Sequence, residues 1–411
     1  MSNKKNRVLT RRNLLASMGL AGASLLATGS ILPRATAATS SSMINVKDFG
    51  AIGDGVADDT TSVNNAISNL PLSGGVLYFP SGRYKINNPI SISNKDVTIK
   101  GDGIQLSQLF FPMSNGITYT TNNLFNDALQ VQDLTLVTIS NNSYKGIIVS
   151  IPSNQGSAWK NLIIERVYLS GSTSIEEYNN GTNGSQTGIN KWLTAIELSN
   201  CGVSHIRDCV VRSGPYSSSN GIGIELLGYT VDILITGCKF YGTGISIRKN
   251  GPAEGIIIDN CMGINVGSFL VINSSSNNLN GVYASVHNCH INYFENGMNI
   301  NYHPQIFIDK CLIYKNGPSS GTFDIIINRC DRSRITNSSL IVHASTGTSN
   351  GIAVAGTNTC LIQGNIIQER ETGVWLKGDA TNCIVSGNRI SNNGTNILNQ
   401  GANNLVEGNL F

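Results

Sequence analysis

The stretch Ile206-Arg207-Asp208-Cys209-Val210-Val211 sets a pattern that returns along the chain: apolar residue, two variable positions, cysteine, one variable position, apolar residue. Weaker copies lie upstream, and the later copies carry Cys238, Cys261, Cys289, Cys311, Ser338, Asn365, Asn388 and Asn409 in the cysteine position. Successive members are 21 to 29 residues apart. A repeat of this length indicates a solenoid, because one coil cannot bury its apolar face without neighbours.

Alternating apolar residues after a glycine form a second signal in the repeat, as in Gly221-Ile222-Gly223-Ile224 and Gly373-Val374-Trp375-Leu376. Alternation with a period of two predicts β-strands. A short segment after the bend, such as Lys239-Phe240-Tyr241, predicts a third strand in each coil. The repeat therefore predicts an all-β fold, a parallel β-helix in which equivalent residues of neighbouring coils lie about 4.8 Å apart.

The last column residues, Asn365, Asn388 and Asn409, resemble the asparagine ladder of right-handed parallel β-helices. A stacked asparagine bonds to its own coil and to the asparagines above and below it. Cysteine in the same column acts as a small apolar residue, so we expect these cysteines to be buried and unpaired. None of the nine cysteines has the close spacing of a zinc site, so no metal is predicted.

The first 37 residues have the features of a twin-arginine export signal. Arg11 and Arg12 precede an apolar run from 16 to 32 and the cleavage motif Ala35-Thr36-Ala37. The glycines and serines of the run argue against a membrane anchor. This leader holds six of the 28 Lys and Arg residues and no Asp or Glu, so residues 38–411 carry a net charge of −3. Nucleic acid and anionic membranes are therefore poor partners, and we expect a secreted protein.

The segment 44–86 contains Ile44-Asn45-Val46-Lys47-Asp48-Phe49-Gly50, Gly53-Asp54-Gly55 and Asp58-Asp59-Thr60. It resembles the N-terminal cap module of the pectate-lyase-like superfamily. An amphipathic stretch near 58–70, with an aspartate N-cap, predicts a short helix that covers the open end of the solenoid. The resemblance covers 44–411 and implies one β-helix domain, 38–411, that is right-handed and takes a polysaccharide as its ligand.

In that superfamily the glycan lies over the outer face of the first strand sheet. Alternation along the strands places Glu197, Glu225 and Arg248 on this face in three successive coils, with the carboxyls offset by two residues and roughly 8 Å apart. These three residues are the predicted catalytic groups. Residues on later coils and at the adjoining turn are predicted to bind the substrate: Lys249, Asn273, Asn301, His303, Asp324, Trp375 and Lys377.

The residue types leave the reaction open. Two carboxyls at this separation suit an inverting glycoside hydrolase, whereas cations beside a uronate suit a lyase. The polygalacturonase motifs Asn-Thr-Asp and Gly-His-Gly, the alginate-epimerase motif Asp-Pro-His and the pectate-lyase motif Arg-x-Pro-x-x-Arg are absent. The predicted function is a secreted polysaccharide-degrading enzyme, either a pectin-type lyase or a glycoside hydrolase. A glycan-binding or adhesive protein without catalysis and a uronan C5-epimerase are the alternatives.

No cofactor is predicted, except Ca²⁺ if the reaction is that of a lyase. The insertion 170–192 carries Tyr178 and Trp192 just before Glu197, and such a loop is predicted to stack on sugar rings. A second irregular insertion, 104–129, suggests no role. The C-terminal end of the solenoid is the expected surface for any oligomerisation.

Overall fold

Residues 41–411 form one compact unit in the computed structural model. The structure describes residues 43–122, 127–152, 162–179, 190–215, 220–251, 253–274, 283–317, 320–342 and 349–411. The predicted export signal, 1–37, and the centre of the insertion 170–192 lie outside the described residues.

The strands form three parallel ladders that run the length of the unit. The first sheet contains Ile90–Ser93, Ile117–Thr120, Lys145–Ser150, Thr194–Ser199, Ile222–Leu227, Ile245–Asn250, Thr322–Asn328, Ser349–Ala355, Thr372–Leu376 and Thr395–Asn399. The second sheet contains Met43–Asn45, Gly75–Phe79, Val97–Gly101, Gly202–Arg207, Thr230–Thr236, Ala253–Asp259, Tyr283–His287, Ile306–Asp309, Arg334–Thr336, Leu361–Gln363, Ile384–Ser386 and Leu405–Glu407. The third sheet contains Asp54–Asp58, Gly82–Lys85, Ser107–Phe111, Val210–Arg212, Lys239–Tyr241, Leu312–Lys315, Ser339–Val342, Ile366–Gln368 and Arg389–Ser391.

Four longer strands bend from one sheet into the next. Leu129–Thr138 and Leu162–Gly171 pair in both the second and third sheets, whereas Met262–Asn273 and His290–Asn301 pair in both the third and first. Every strand pairs in parallel with its equivalent one coil away, and the apolar side chains inside the coils form one continuous core. The predicted fold class, an all-β parallel β-helix with an N-terminal capping helix, is confirmed.

The repeated column lies at the bend between the second and third sheets. Its members each follow a residue with left-handed backbone, such as Asp208 at φ 53° or Asn260 at φ 53°, and this conformation turns the chain. The predicted asparagine ladder is present: Asn365 Nδ2 donates to Asn388 Oδ1 at 3.0 Å, and Asn388 Nδ2 donates to Asn409 Oδ1 at 2.9 Å. All nine cysteines are buried and free. Five occupy this column, and the other four lie at the bend between the first and second sheets: Cys201, Cys330, Cys360 and Cys383.

The helix α1, Thr60–Ser68, lies at the N-terminal end with Val63 and Ala66 buried, as the sequence predicts. Asp59 is the N-cap residue, as predicted, but the first N–H of the helix, that of Thr60, donates to the Asp58 carboxylate at 3.0 Å. The Asp59 carboxylate accepts hydrogen bonds from the backbone of Ile52 (2.6 Å) and Gly53 (3.2 Å) instead, so it ties the preceding turn to the helix. In the part of the chain that the structure describes, no helix is long and apolar enough to cross a membrane.

Candidate functional site

Four charged side chains lie on the outer face of the first sheet, one on each of four successive strands. Glu197, Glu225 and Arg248 are in register, whereas Lys145 pairs with Thr194, three residues before Glu197. This charged row consists of Lys145, Glu197, Glu225 and Arg248, and the two glutamates lie between the two cations. Lys145 Nζ lies 2.5 Å from Glu197 Oε2, while Arg248 binds Glu225 Oε1 through Nε at 2.8 Å and Nη2 at 2.5 Å. The glutamate side chains are 8% and 6% exposed and the two cations 31% each, so the cations form the outer surface of the row.

The spacing of the two carboxylates differs from the prediction. Glu197 pairs directly with Glu225 in the ladder, with no two-residue offset, so their Cα atoms are one strand spacing, about 4.8 Å, apart. The expected two-residue offset is therefore wrong, and the argument for inverting hydrolysis, which depends on that offset, loses its basis. Glu225 has two further contacts, with Thr194 Oγ1 at 3.3 Å and Asn250 Nδ2 at 3.4 Å.

A row of asparagines continues the face on the next coils. This amide row consists of Asn250, Asn273, Asn301 and Asn328, which occupy equivalent positions on consecutive strands. Asn301 Nδ2 donates to Asn273 Oδ1 at 3.2 Å, and Asn328 Nδ2 donates to Asn301 Oδ1 at 3.3 Å. The structure therefore brings the predicted binding residues Asn273 and Asn301 together, beside the charged row.

Lys249 and His303 do not lie on the outer face of the first sheet, contrary to prediction. Lys249 lies at an inward position between Leu226 and Ile272, is fully buried, and donates from Nζ to the carbonyl oxygens of Gly228 (2.6 Å) and Asn250 (2.8 Å). Burial lowers its pKa to about 7. His303 is also fully buried, and burial lowers its pKa to about 4, with the Lys249 charge acting in the same direction. Both residues lie in the interior of the coil and cannot contact a glycan.

Asp324 is the third predicted binding residue that the structure places away from the surface. It lies at the corner where the chain enters the first sheet and is fully buried. Its carboxylate is bound by Arg370 Nε (2.5 Å) and Nη2 (2.9 Å) and by the Tyr293 hydroxyl (2.8 Å). Since Arg370 is buried as well, this is an ion pair within the core and has no access to substrate.

Trp375 and Lys377 remain on the surface as predicted. Lys377 Nζ lies 5.0 Å from the centre of the Trp375 ring and 5.9 Å from that of Phe323, within the range of a cation–π contact. The indole Nε1 donates to Gln400 Oε1 at 2.9 Å, which fixes the ring. This aromatic platform lies on the same sheet as the charged row, several coils toward the C-terminus.

The two described aromatic side chains of the insertion 170–192 differ in their exposure. Tyr178, in the helix α2, Ile175–Asn179, packs edge-to-face on Phe110 with ring centres 5.5 Å apart. Trp192 is 2% exposed and contacts Phe111 in the core. The predicted stacking role is therefore wrong for Trp192, whereas it stays a prediction for the half-buried Tyr178.

The donor groups of the charged row do not fit a Ca²⁺ site. Both carboxylates already bind a cationic side chain, and among the described residues no three His, Cys, Asp or Glu side chains converge to hold a metal. No reaction step proposed here involves Ca²⁺. A requirement for Ca²⁺ stays a prediction that applies only if the protein is a lyase.

Fold and surface together define a parallel β-helix protein with a polar, charge-bearing first sheet. The model of the family described as "Rhamnogalacturonase A/epimerase, pectate lyase-like" matches residues 43–299, more than half of the chain, and the chain belongs to this family. That range includes the whole charged row. A second model, "Periplasmic copper-binding protein (NosD)", matches residues 295–411; the cysteines of that segment are buried and free.

Individual relatives agree with the family assignment. Mannuronan C5-epimerase AlgE1 of Azotobacter vinelandii is 35% identical over 89 residues, 20% of this chain and 6% of the epimerase. Alginate lyase 7 of the same organism is 42% identical over 59 residues, 14% of this chain and 7% of the lyase. The matches thus span less than a tenth of either relative. The solved A-module of A. vinelandii mannuronan C-5 epimerase AlgE4 superposes with a TM-score of 0.63 at 18% identity, over 89% of this chain and 100% of the module, which shows a shared fold.

Proposed function

We propose that the protein acts on a uronic-acid polysaccharide by removing the proton at C5 of a uronate residue, as a lyase or as a C5-epimerase. The observation that carries the proposal is the charged row, in which two carboxylates in direct register lie between two cations. The names of the aligned relatives, an alginate lyase and mannuronan C5-epimerases, support the same class of polymer.

The arrangement fits proton abstraction better than hydrolysis. A glycosidase needs one carboxyl group that is free to give a proton to the leaving oxygen, whereas each carboxyl group here is bound by a cationic side chain. Removal of the C5 proton instead needs a carboxylate base, and a cation that stabilises the negative charge spreading onto the uronate carboxyl group. Glu225 and Arg248 are the proposed base and cation, because they contact each other at 2.5 Å and share the outer face.

The two candidate reactions share their first step and differ in the second. The C5–H bond breaks, its proton passes to the Glu225 carboxylate, and its electron pair enters an enolate held by Arg248. Loss of the C4 oxygen then gives an unsaturated sugar and a cleaved chain. Return of a proton to the opposite face of C5 gives the epimer, with the chain intact. Solvent water supplies that proton, and it also supplies the proton for the departing C4 oxygen. Glu197, one strand away, is proposed to hold Lys145 as a second cation beside the uronate.

The rest of the first sheet is proposed to position the polymer. The amide row offers donors and acceptors for sugar hydroxyls, and the aromatic platform of Trp375 and Lys377 offers an apolar face with a cation. A glycan-binding protein without catalysis is the second candidate, because these two features bind sugars without any reaction. Secretion through the leader 1–37 is also a proposal, tested by the loss of export when Arg11 and Arg12 are replaced by lysine.

The test is a set of assays on one panel of acidic and neutral polysaccharides. Absorbance at 235 nm reports elimination, deuterium uptake at C5 in D₂O reports epimerisation, and reducing ends without either signal report hydrolysis. Glu225→Gln should lower turnover by at least about 10²-fold with the fold intact, since general bases contribute that much or more. Arg248→Ala should raise KM for uronates.

The matched control is Glu254→Gln, which alters an exposed glutamate on the second sheet and should leave turnover unchanged. Full activity in both Glu197→Gln and Glu225→Gln would move the reaction away from the charged row. Hydrolysis by the wild type would refute the proposed chemistry, and binding with no reaction on any polymer would favour the second candidate.

A further inference from the structure

A cleft of about 310 Å³ lies outside the first sheet, at the bend that leads into the second sheet. It spans three successive coils, which contribute Arg332 to Arg334, Thr359 to Leu361, and Asn382 with Ile384. Its walls combine two guanidinium groups with the hydroxyl and amide groups of Thr359 and Asn382, and with the half-exposed apolar side chains of Leu361 and Ile384.

The arginines of this bend have no acidic partner. Arg329, Arg332 and Arg334 are all exposed, and none of them forms an ion pair with any Asp or Glu of the chain, all of which lie in the described ranges. The nearest acidic residue in sequence, Asp331, uses its carboxylate to accept a hydrogen bond from the backbone of Asn358 at 2.7 Å. The bend is therefore a local concentration of positive charge on a domain whose net charge is negative.

Aromatic rings hold two of these guanidinium groups in place. The Arg334 guanidinium carbon lies 5.2 Å from the centre of the Phe307 ring, and that of Arg329 lies 5.2 Å from the centre of the Tyr302 ring. A stacked arginine keeps its planar fork oriented, so less conformational entropy is lost when it binds an anion. The fork matches carboxylate and sulfate groups with two parallel hydrogen bonds.

We propose that this arginine cleft is a second, non-catalytic binding site for an acidic polysaccharide, in which Arg332 and Arg334 bind the carboxylate or sulfate groups of the polymer. The polar and apolar walls suit the hydroxyl groups and the C–H face of a sugar ring. The inference depends on the proposed function in one respect: that function supplies the class of polymer, an acidic polysaccharide.

The cleft is separate from the charged row but continuous with the glycan face. Arg332 lies four coils from Glu225, about 19 Å along the solenoid axis. Arg329 directly follows Asn328, the last member of the amide row, and so lies between that row and the cleft. A chain bound in the cleft therefore leaves the charged row free for another stretch of the same polymer.

The experiment measures binding in a Glu225→Gln background, so that turnover does not change the ligand. Isothermal titration is carried out with oligogalacturonate, oligoalginate and neutral β-1,3-glucan oligomers. The double variant Arg332→Gln/Arg334→Gln is compared with Arg389→Gln, a matched exposed arginine on the third sheet. Loss of two charge-assisted contacts should weaken binding of one or both acidic oligomers at least about tenfold. The control and the neutral ligand should show no change.

Unchanged affinity of the double variant for both acidic oligomers would overturn the inference, as would an equal loss for the neutral oligomer or no binding of either acidic oligomer to the parent. Circular dichroism verifies that both variants fold. The two proposals fail separately: a cleft-dependent loss of binding in a protein whose wild type shows no C5 reaction supports the cleft and rejects the catalytic proposal. A C5 reaction by the wild type, together with unchanged binding in the double variant, supports the catalytic proposal and rejects the cleft.

Discussion

Replacement of Asn388 by leucine tests the asparagine ladder, because leucine keeps the number and branching of the side-chain heavy atoms but cannot form hydrogen bonds. The Asn388 side chain is buried and takes part in five hydrogen bonds. It donates to the carbonyl oxygens of Ile362 (3.0 Å) and Ser386 (3.1 Å) and to Asn409 Oδ1 (2.9 Å). Its Oδ1 accepts from the backbone N–H of Asn365 (2.9 Å) and from Asn365 Nδ2 (3.0 Å). These bonds connect three consecutive coils.

The cost follows from the groups that lose their partners. The backbone N–H of Asn365 becomes a buried donor without an acceptor, which costs about 1–3 kcal/mol, and each further bond adds about 0.5–1.5 kcal/mol. Burial of the leucine side chain offsets part of this loss. We therefore expect Asn388→Leu to lower the free energy of unfolding by about 2–4 kcal/mol.

The effect should be local, because each coil of a solenoid contacts only its neighbours. Hydrogen exchange resolved by residue should show lower protection in the C-terminal coils from 362 to 411, together with a lower Tm. Gln363→Leu, which makes the same change on an exposed side chain nearby, should leave protection unchanged. Equal protection in Asn388→Leu and wild type would show that the ladder does not carry the stability assigned to it here.

Three further predictions concern the interior. Asp324→Ala leaves the Arg370 charge unpaired and should lower the free energy of unfolding by about 3–5 kcal/mol, whereas Asp324→Leu/Arg370→Met should restore most of it; equal losses would contradict this. The pKa of His303 is lowered from 6.5 to about 4, so between these pH values the unfolded chain binds more protons than the folded protein. The free energy of unfolding should therefore fall by about 3 kcal/mol as the pH falls through this range. In urea titrations, His303→Leu should reduce this dependence on pH. Thiol titration without reductant should find all nine cysteines free after denaturation, and an oxidised pair would refute the unpaired columns.

The fold could be predicted well from the sequence because each sequence repeat corresponds to one coil, and each repeated position packs in the same way in every coil. The position after the left-handed bend is enclosed on every coil, so only residues that suit a small buried site occur there, and the columns of Cys209 and Asn388 are confirmed. The bend between the first and second sheets has the same property, but its cysteines, such as Cys201 and Cys360, are too few and too irregularly spaced to give a second repeat in the sequence.

The errors at the site have two physical causes. Strict alternation fails at the corner into the first sheet, where Gly223 and the following Ile224 both point inward: a Cβ on Gly223 would lie 2.6 Å from the Phe240 ring. The prediction aligned Glu197 with Gly223, which produced the two-residue offset, and it placed Asp324, at the equivalent corner, on the surface. The second cause concerns Lys249, which the sequence predicts at the turn that follows the strand. The strand continues to Asn250, so alternation from Ile247 places Lys249 inside, where a lysine is seldom found.

Because equivalent residues pair directly, the distance between two residues on the first sheet, measured along the solenoid axis, is a whole number of coils. Arg248 and Trp375 are fixed points on one face, and the coils between them act as equal steps of about 4.8 Å. If recombination adds or removes one coil between them, the distance between Arg248 and Trp375 changes by about 4.8 Å, and each residue keeps its neighbours. The distance between Arg248 and Trp375 is therefore set by the number of coils, while the residues around each of them stay the same.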